Sequence, residues 1–212
     1  MTMPLDLVLV RHGESEGNVA VKASKKKGDV HYYTPEFLSR QSSKWRLTDK
    51  GKKHAEAAGE WLRANFPKFD RYYSSEYIRA LETAALLGLD GAMWYRELYL
   101  RERDRGWFDV ISYSALKKEF AEEFAQWGRS TLFGSPPGGE SMADMCMRID
   151  RVLNTLHREC ENKRVIIVCH GEVMWAFRMR LERMPQEEWV RLEASTDNAD
   201  KVFNGQVIHY SR

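Results

Sequence analysis

Cysteine is scarce in this chain: Cys146, Cys160 and Cys169 are the only three among 212 residues. Their number is odd, they sit among apolar neighbours, and no pair has the spacing of a metal knuckle or a redox couple. That argues against a disulfide scaffold and points to a reducing compartment. An excess of charge of either sign is also missing. The 33 basic residues stand against 31 acidic ones, a net charge of +2, which removes the general electrostatic case for a nucleic-acid or membrane partner. Long apolar runs are absent too. The opening MTMPLDLVLVRHGES has one short run that meets a charge at Arg11, lacks the basic start of a signal peptide, and no run is long enough to span a bilayer. A cytoplasmic location is expected. No internal repeat and no linker interrupts the chain, so residues 1–212 are expected to form one domain.

What is present is an ordinary globular composition, 43% hydrophobic and 30% charged, sufficient for a full core. Residues 6–10 form a short β-branched run that reads as a buried strand ending abruptly in RHGES. The polar and basic stretch 19–44 reads as surface loops and short helical turns. A helix follows: Thr48 or Asp49 caps it, Ala55, Ala58, Leu62 and Phe66 mark one face, and Pro67 closes it. A strand at 71–74 leads into a helix carrying Ile78, Leu81 and Ala85, and a short strand is expected at 93–96. A helix over 114–127 places Leu116, Phe120, Phe124 and Trp127 on one side, and SPPGG ends that segment. Ser141 starts a long helix with Asp144 three residues on, a capping-box pattern, and its apolar face is Met142, Met145, Ile149, Val152, Leu156 and Cys160. Residues 165–168 form the clearest second strand. A helix over 173–181, a last helix with Pro185 at its first position, and an edge strand at 206–210 complete the pattern. Strands alternating with helices imply an α/β fold, a mainly parallel sheet covered on both faces.

Two strands end alike. LVLV runs into Arg11-His12-Gly13, and VIIVC runs into His170-Gly171. Ligands of open α/β sheets bind at the carboxyl ends of strands, so neighbouring placement of these two would bring both histidines to one crevice with an arginine beside them. Glycine after each histidine lets the backbone approach a bound group closely, and a helix starting after Gly171 would favour an anion there.

RHGESEGN (11–18) resembles the signature of the histidine phosphatase superfamily, which contains the cofactor-dependent phosphoglycerate mutases and the fructose-2,6-bisphosphatases. The resemblance continues in order through RLTDKGKKHA, SSEYIRALETA, LRERDRGWF, PPGGESM and VIIVCHGEV, and so covers almost the full length. It implies a phosphoglycerate mutase-like three-layer αβα sandwich. It also implies that His12 attacks phosphorus, and a neutral imidazole suits a two-step covalent transfer. Arg11 and Arg79 match the family's phosphate-binding arginines, whose guanidinium forks fit phosphoryl oxygens. His170 matches a second histidine that holds those oxygens. Glu102 falls at the position of the acid that protonates the leaving oxygen, with Glu97 a nearby competitor. Asn18 matches an asparagine that often touches the phosphate, although a turn-forming role fits it equally. Arg103 is a candidate for binding substrate, as are Arg105 and Gly171.

Such a cycle needs neither a metal ion nor a cofactor, and its partner is a small phosphorylated substrate. The family also contains mutases. Those usually follow the catalytic glutamate with a long insertion of the type ERHYGxLQGLNK, which LRERDRGWFDVISYSALKKEF lacks. A metal-independent phosphomonoesterase is therefore expected, with a mutase-type phosphotransferase and a non-catalytic phospho-ligand binder as alternatives. Lys25, Lys26 and Lys27 read as a solvated loop, with attraction of an anionic substrate as the other possibility, and Tyr32, Tyr33 and Phe37 are lid candidates. The edge strand near the C-terminus leaves a homodimer open.

Overall fold

The computed structural model describes residues 2–195, 197 and 201–212. The chain runs β1 (Asp6–Arg11), α1 (Glu16–Lys27), α2 (Pro35–Ser39), α3 (Asp49–Asn65), β2 (Arg71–Ser74), α4 (Ile78–Leu86) and β3 (Trp94–Arg96). It continues through α5 (Tyr113–Glu119), α6 (Ala121–Gly128), α7 (Met142–Glu159), β4 (Arg164–Cys169), α8 (Gly171–Leu181), α9 (Gln186–Ala194) and β5 (Val207–Ser211). The five strands form one sheet in the order β3-β2-β4-β1-β5, parallel throughout except for antiparallel β5 at the edge.

Burial on both faces explains why β1 and β4 read as continuous apolar runs. Successive side chains of a strand point to opposite faces. Leu7, Leu9, Val165 and Ile167 therefore pack with Met142, Met145 and Ile149 of α7 and with Val173, Met174 and Phe177 of α8. Val8, Val10, Ile166 and Val168 pack instead with Ala58 and Leu62 of α3 and with Ala80 and Ala84 of α4. The result is the expected helix–sheet–helix sandwich. Leu9, Ile166 and Ile167 are completely buried, each worth about 1.5–3 kcal/mol relative to exposure. The expected face of α7 is buried from Met142 through Leu156, and Cys160 beyond its end is buried too. Its capping box, Ser141 with Asp144, is formed in both directions.

Four local expectations are corrected. The stretch 19–44 is not loop at its start: α1 occupies twelve residues from Glu16, with Ser15 and Asn18 forming a second capping box and Gly28 in the left-handed region closing it. This helix has no wide apolar stripe, so periodicity does not reveal it. It is seated by contact instead, because a Cβ on Gly17 would lie 2.0 Å from the Trp45 ring. The expected helix over 114–127 is broken at Phe120, whose φ of −131° and ψ of 40° end α5 and open α6. The strand expected from Met93 begins at Trp94, and Met93 is exposed. Pro185 caps α9 from outside its first turn. The lid expectation also fails for Phe37. That ring is buried and stacks on Trp45 at 4.9 Å, with Ala20 and Tyr33 beside it, in a small core beneath α1.

Candidate active site

The register of β1 against β4 assembles the site. Arg11 pairs with Cys169, so the residues that follow, His12 and His170, leave the sheet side by side. The His12 amide continues the ladder, donating to the Cys169 carbonyl at 3.0 Å. The two rings meet edge-on with centroids 5.1 Å apart. The loop after His12 is held backbone to backbone. A Cβ on Gly13 would fall 2.0 Å from the Gly51 carbonyl oxygen, and one on Gly51 would fall 1.9 Å from the Glu14 carbonyl oxygen. Thr48 caps α3 and bonds Glu14, and Thr83 accepts the Gly13 amide, so α3 and α4 both brace this loop.

Both ring nitrogens of His12 are assigned by their neighbours. Nδ1 lies 2.6 Å from the Gly13 carbonyl oxygen and must donate to it. Nε2 then carries the lone pair and accepts from Arg79 Nε at 3.1 Å. Burial, followed by the charges of Arg79 and Arg11, holds His12 well below the ordinary imidazole range, so the ring is neutral near pH 7. Arg79 is itself buried, reaches the Ser42 carbonyl through Nη1, and lies over the Tyr77 ring. Tyr77 N–H donates to Ser75 Oγ, and the same hydroxyl is hydrogen-bonded to His170 Nε2 at 2.8 Å. The other ring nitrogen of His170, Nδ1, is buried and has no partner among the described residues. Arg11 Nε is likewise buried without an acceptor, while its Nη1 donates to the Val202 carbonyl. The orphaned guanidinium donor beside His12, with the unpartnered His170 nitrogen next to it, marks a place suited to an anion.

A cavity of about 840 Å³ opens over these groups. Eight of the nine expected site residues line it: Arg11, His12, Asn18, Arg79, Glu102, Arg103, Arg105 and Gly171. His170 is fully buried behind the wall. Glu102 is pushed above the ordinary carboxylate range, first by burial and then by Glu172, with Arg79 and Arg11 pulling the other way. Its competitor is accounted for otherwise, since the Glu97 carboxylate caps a short turn by accepting from the Tyr99 amide at 3.0 Å. Asn18 Oδ1 is engaged by the Ser15 amide and hydroxyl and by Asn204 Nδ2. Arg103 donates to the carbonyls of Glu140 and Gly134 and lies over the Trp127 ring, so it fastens the loop that precedes α7. At Gly171 a Cβ would press against Arg11 Nε at 3.2 Å.

The chain belongs to the histidine phosphatase superfamily. The model of that superfamily's branch 1 matches residues 7–202. The 2,3-bisphosphoglycerate-dependent phosphoglycerate mutase of Azorhizobium caulinodans is 32% identical over 90% of this chain and 87% of its own length. Among solved structures, the alpha-ribazole phosphatase of Shigella flexneri superposes with a TM-score of 0.72 at 24% identity, covering 96% of this chain and 89% of that one. The mycobacterial glucosyl-3-phosphoglycerate phosphatase, in a complex with VO3, gives a TM-score of 0.72 at 22% identity over 96% of this chain and 91% of that one. The fold is thus the phosphoglycerate mutase-like one implied by the ordered motifs.

Several members of this histidine phosphatase site are not announced by the motifs. Glu172 follows His-Gly directly and enters the first turn of α8, where it pairs with Arg105 at 3.2 Å and keeps one buried oxygen unpartnered. Its place beside the second His-Gly was the available signal. Ser75 lies within SSEYIRALETA, but nothing there marked it as the partner of His170, and Ser42 and Asn204 had no signal, because each is brought in from a distant part of the chain. Lys25 and Lys26, read as a solvated loop, are the last turn of α1 and line the cavity. Among the described residues no helix is long and apolar enough to cross a membrane.

Proposed function

We propose that this chain is a phosphomonoester hydrolase whose phosphoryl group passes through His12 Nε2. One observation carries the reading: the two hydrogen-bond partners of His12 leave its lone pair on the nitrogen that faces Arg79, inside a cavity whose lining includes the guanidinium groups of Arg11 and Arg79 and the raised carboxyl of Glu102. A phosphoryl group entering there offers Arg79 a charged acceptor, stronger than an imidazole nitrogen. The guanidinium is drawn to the phosphoryl oxygens and the lone pair is released for in-line attack. The P–O bond to the alcohol breaks as the Nε2–P bond forms, and protonated Glu102 gives its proton to the departing oxygen. The same carboxylate then takes a proton from water, which attacks phosphorus, returns Nε2 and releases phosphate. Arg11 and Arg79 stay charged throughout and meet the negative charge that spreads over the equatorial oxygens. Asn18, Gly171, Arg103 and His170 shape the surroundings of that clamp.

Hydrolysis rather than return of the phosphoryl group to a substrate hydroxyl is supported by the short stretch between Glu102 and PPGGES. The names of the two structural neighbours agree with it. The mutase reading has its own support in the 32% identity to a named mutase. Protein mixed with labelled p-nitrophenyl phosphate and denatured rapidly in alkaline detergent is expected to carry label in a phosphohistidine bond that His12→Ala removes, and turnover is expected to survive EDTA. Absence of label on His12, or activity restored only by added zinc or magnesium, overturns the proposal. Interconversion of 3- and 2-phosphoglycerate, primed by the bisphosphate and faster than phosphate release, would establish the mutase instead.

A further inference from the structure

Lys25 and Lys26 lie three and four residues beyond Lys22, which places all three side chains on one face of α1. That face is a wall of the cavity above His12. The wall is fixed in place at three points. The Ser15–Asn18 box holds the start of α1, Gly17 is pressed against Trp45, and Ser24 Oγ accepts the Tyr113 amide at 2.7 Å from the start of α5.

Two of the cations that line the cavity are paired with carboxylates. Lys50 meets Glu14 at 3.4 Å and Arg105 meets Glu172 at 3.2 Å, and at the base of α1 Arg40 meets Glu16 at 3.1 Å. Lys22, Lys25 and Lys26 have no carboxylate within ion-pair distance among the described residues. The Lys25 ammonium lies 5.6 Å from the centre of the Tyr113 ring, and Arg105 is a like-charged neighbour. Lys25 is exposed, yet partial desolvation at the cavity wall and that neighbour lower its pKa, while Glu172 on α8 and Glu193 on α9 act in the opposite sense. Three ammonium groups on one wall, none of them held in an ion pair, repel one another, and an anion between them relieves that repulsion. The cavity is also far larger than a phosphate group needs, so space remains for the rest of the ester beside this wall.

We propose that Lys22, Lys25 and Lys26 form a subsite for a second anionic group of the substrate, so that the preferred substrates are phosphomonoesters whose alcohol also bears a carboxylate or another phosphate. This rests on the reading of the cavity as a phosphomonoester site. The lysines discriminate between substrates and take no part in the bond changes at phosphorus.

The test uses phosphonates, whose C–P bond the enzyme does not cleave, and titration calorimetry on the full chain. Three ligands of equal length are compared: propylphosphonate, 3-phosphonopropionate and propane-1,3-diphosphonate, with a six-carbon set to cover a longer reach. At least one doubly anionic ligand is expected to bind about fivefold or more tightly than its alkyl counterpart, a ratio that shrinks with added salt. Which of the two wins tells a carboxylate from a phosphate. The ratio is expected to fall to near one in the variant Lys22→Gln/Lys25→Gln/Lys26→Gln, and part-way in Lys25→Gln alone should the triple variant not fold. Equal binding in the wild type, a ratio that persists in the variants, or no binding of any phosphonate overturns the subsite. Hydrolysis of p-nitrophenyl phosphate is measured alongside. Turnover with equal phosphonate binding removes the subsite and leaves the hydrolase, whereas charge-dependent binding without turnover does the reverse.

Discussion

Arg79 Nε lies 3.1 Å from His12 Nε2, on the side of the ring opposite the 2.6 Å contact from Nδ1 to the Gly13 carbonyl oxygen. One imidazole is thus fixed in tautomer by a backbone acceptor and in direction by a guanidinium. Arg79→Lys replaces a planar fork with a point charge and loses the donation to Ser42 as well. A fall in kcat/KM of about 100-fold or more is expected, on the scale of removing one preorganised donor to a developing negative charge. Steady-state kinetics with p-nitrophenyl phosphate would show it, and a loss below about threefold would place Arg79 outside the clamp.

Opposite displacements of two acidities set the pH profile. His12 must be neutral to attack, and burial with Arg79 and Arg11 keeps it so to well below its ordinary range. Glu102 must be protonated to assist the leaving group, and burial with Glu172 keeps it so to above its ordinary range. The rate therefore falls at high pH as Glu102 ionises and at low pH as His12 protonates, with the optimum between the two. Glu102→Gln is expected to lower kcat/KM and to abolish the high-pH limb. A limb unchanged in that variant would assign it to another group.

Two glycines of the site are expected to respond differently to the same added methyl group. In Gly51→Ala the Cβ meets the Glu14 carbonyl oxygen at 1.9 Å, backbone against backbone, with no flexible neighbour to yield. The protein is expected to be strongly destabilised or not to fold. In Gly171→Ala the Cβ meets the end of the Arg11 side chain at 3.2 Å, which can move by a few tenths of an ångström. That variant is expected to keep its thermal midpoint within a few degrees while its KM rises. Similar melting curves for the two variants would contradict the geometry.

The box at the start of α1 has a measurable share in stability. Ser15→Ala removes the acceptor for the Asn18 amide and a donor to Asn18 Oδ1. A loss of about 1 kcal/mol is expected, read as a thermal midpoint lower by about 2–4 °C. No change in midpoint would show that α1 is held by its packing on Trp45 alone.

Arg103 and Arg105, separated by one residue, are expected to part company. Arg103→Ala strands the carbonyls of Glu140 and Gly134 and removes the contact with Trp127. Leaving buried acceptors unmet costs about 1–3 kcal/mol. Arg105→Ala frees Glu172 from its ion pair at the cavity, so its effect is expected on kcat/KM and its pH dependence more than on the melting curve. Equal destabilisation by both would show that Arg105 also anchors the loop.

Much of the fold is legible along the chain because its central strands are buried on both faces. A run such as VIIV has few places to go other than the middle of a covered sheet, and α7 declares itself through Ser141, Asp144 and a regular apolar face. Helix α1 escapes such reading because its stability comes from a box at one end and a single aromatic wall, neither of which produces an apolar period. The break at Phe120 is equally silent, since the residue continues the helical pattern while its ring packs near Trp107 and Phe108.

The sequence by itself determined the family, the two His-Gly strand ends and the identities of His12, Arg11, Arg79, Glu102 and His170 as the residues to watch, because these are short ordered motifs with the chemistry written in their side chains. Only the tertiary structure decided which nitrogen of His12 is free, that Glu97 caps a turn while Glu102 faces the cavity, that Arg103 holds a loop, and that the lysines of α1 overlook the site. Each of these depends on partners far away in the chain. Hydrogen-bond direction, burial and the company of other charges are properties of a folded neighbourhood, and no local run of residues carries them.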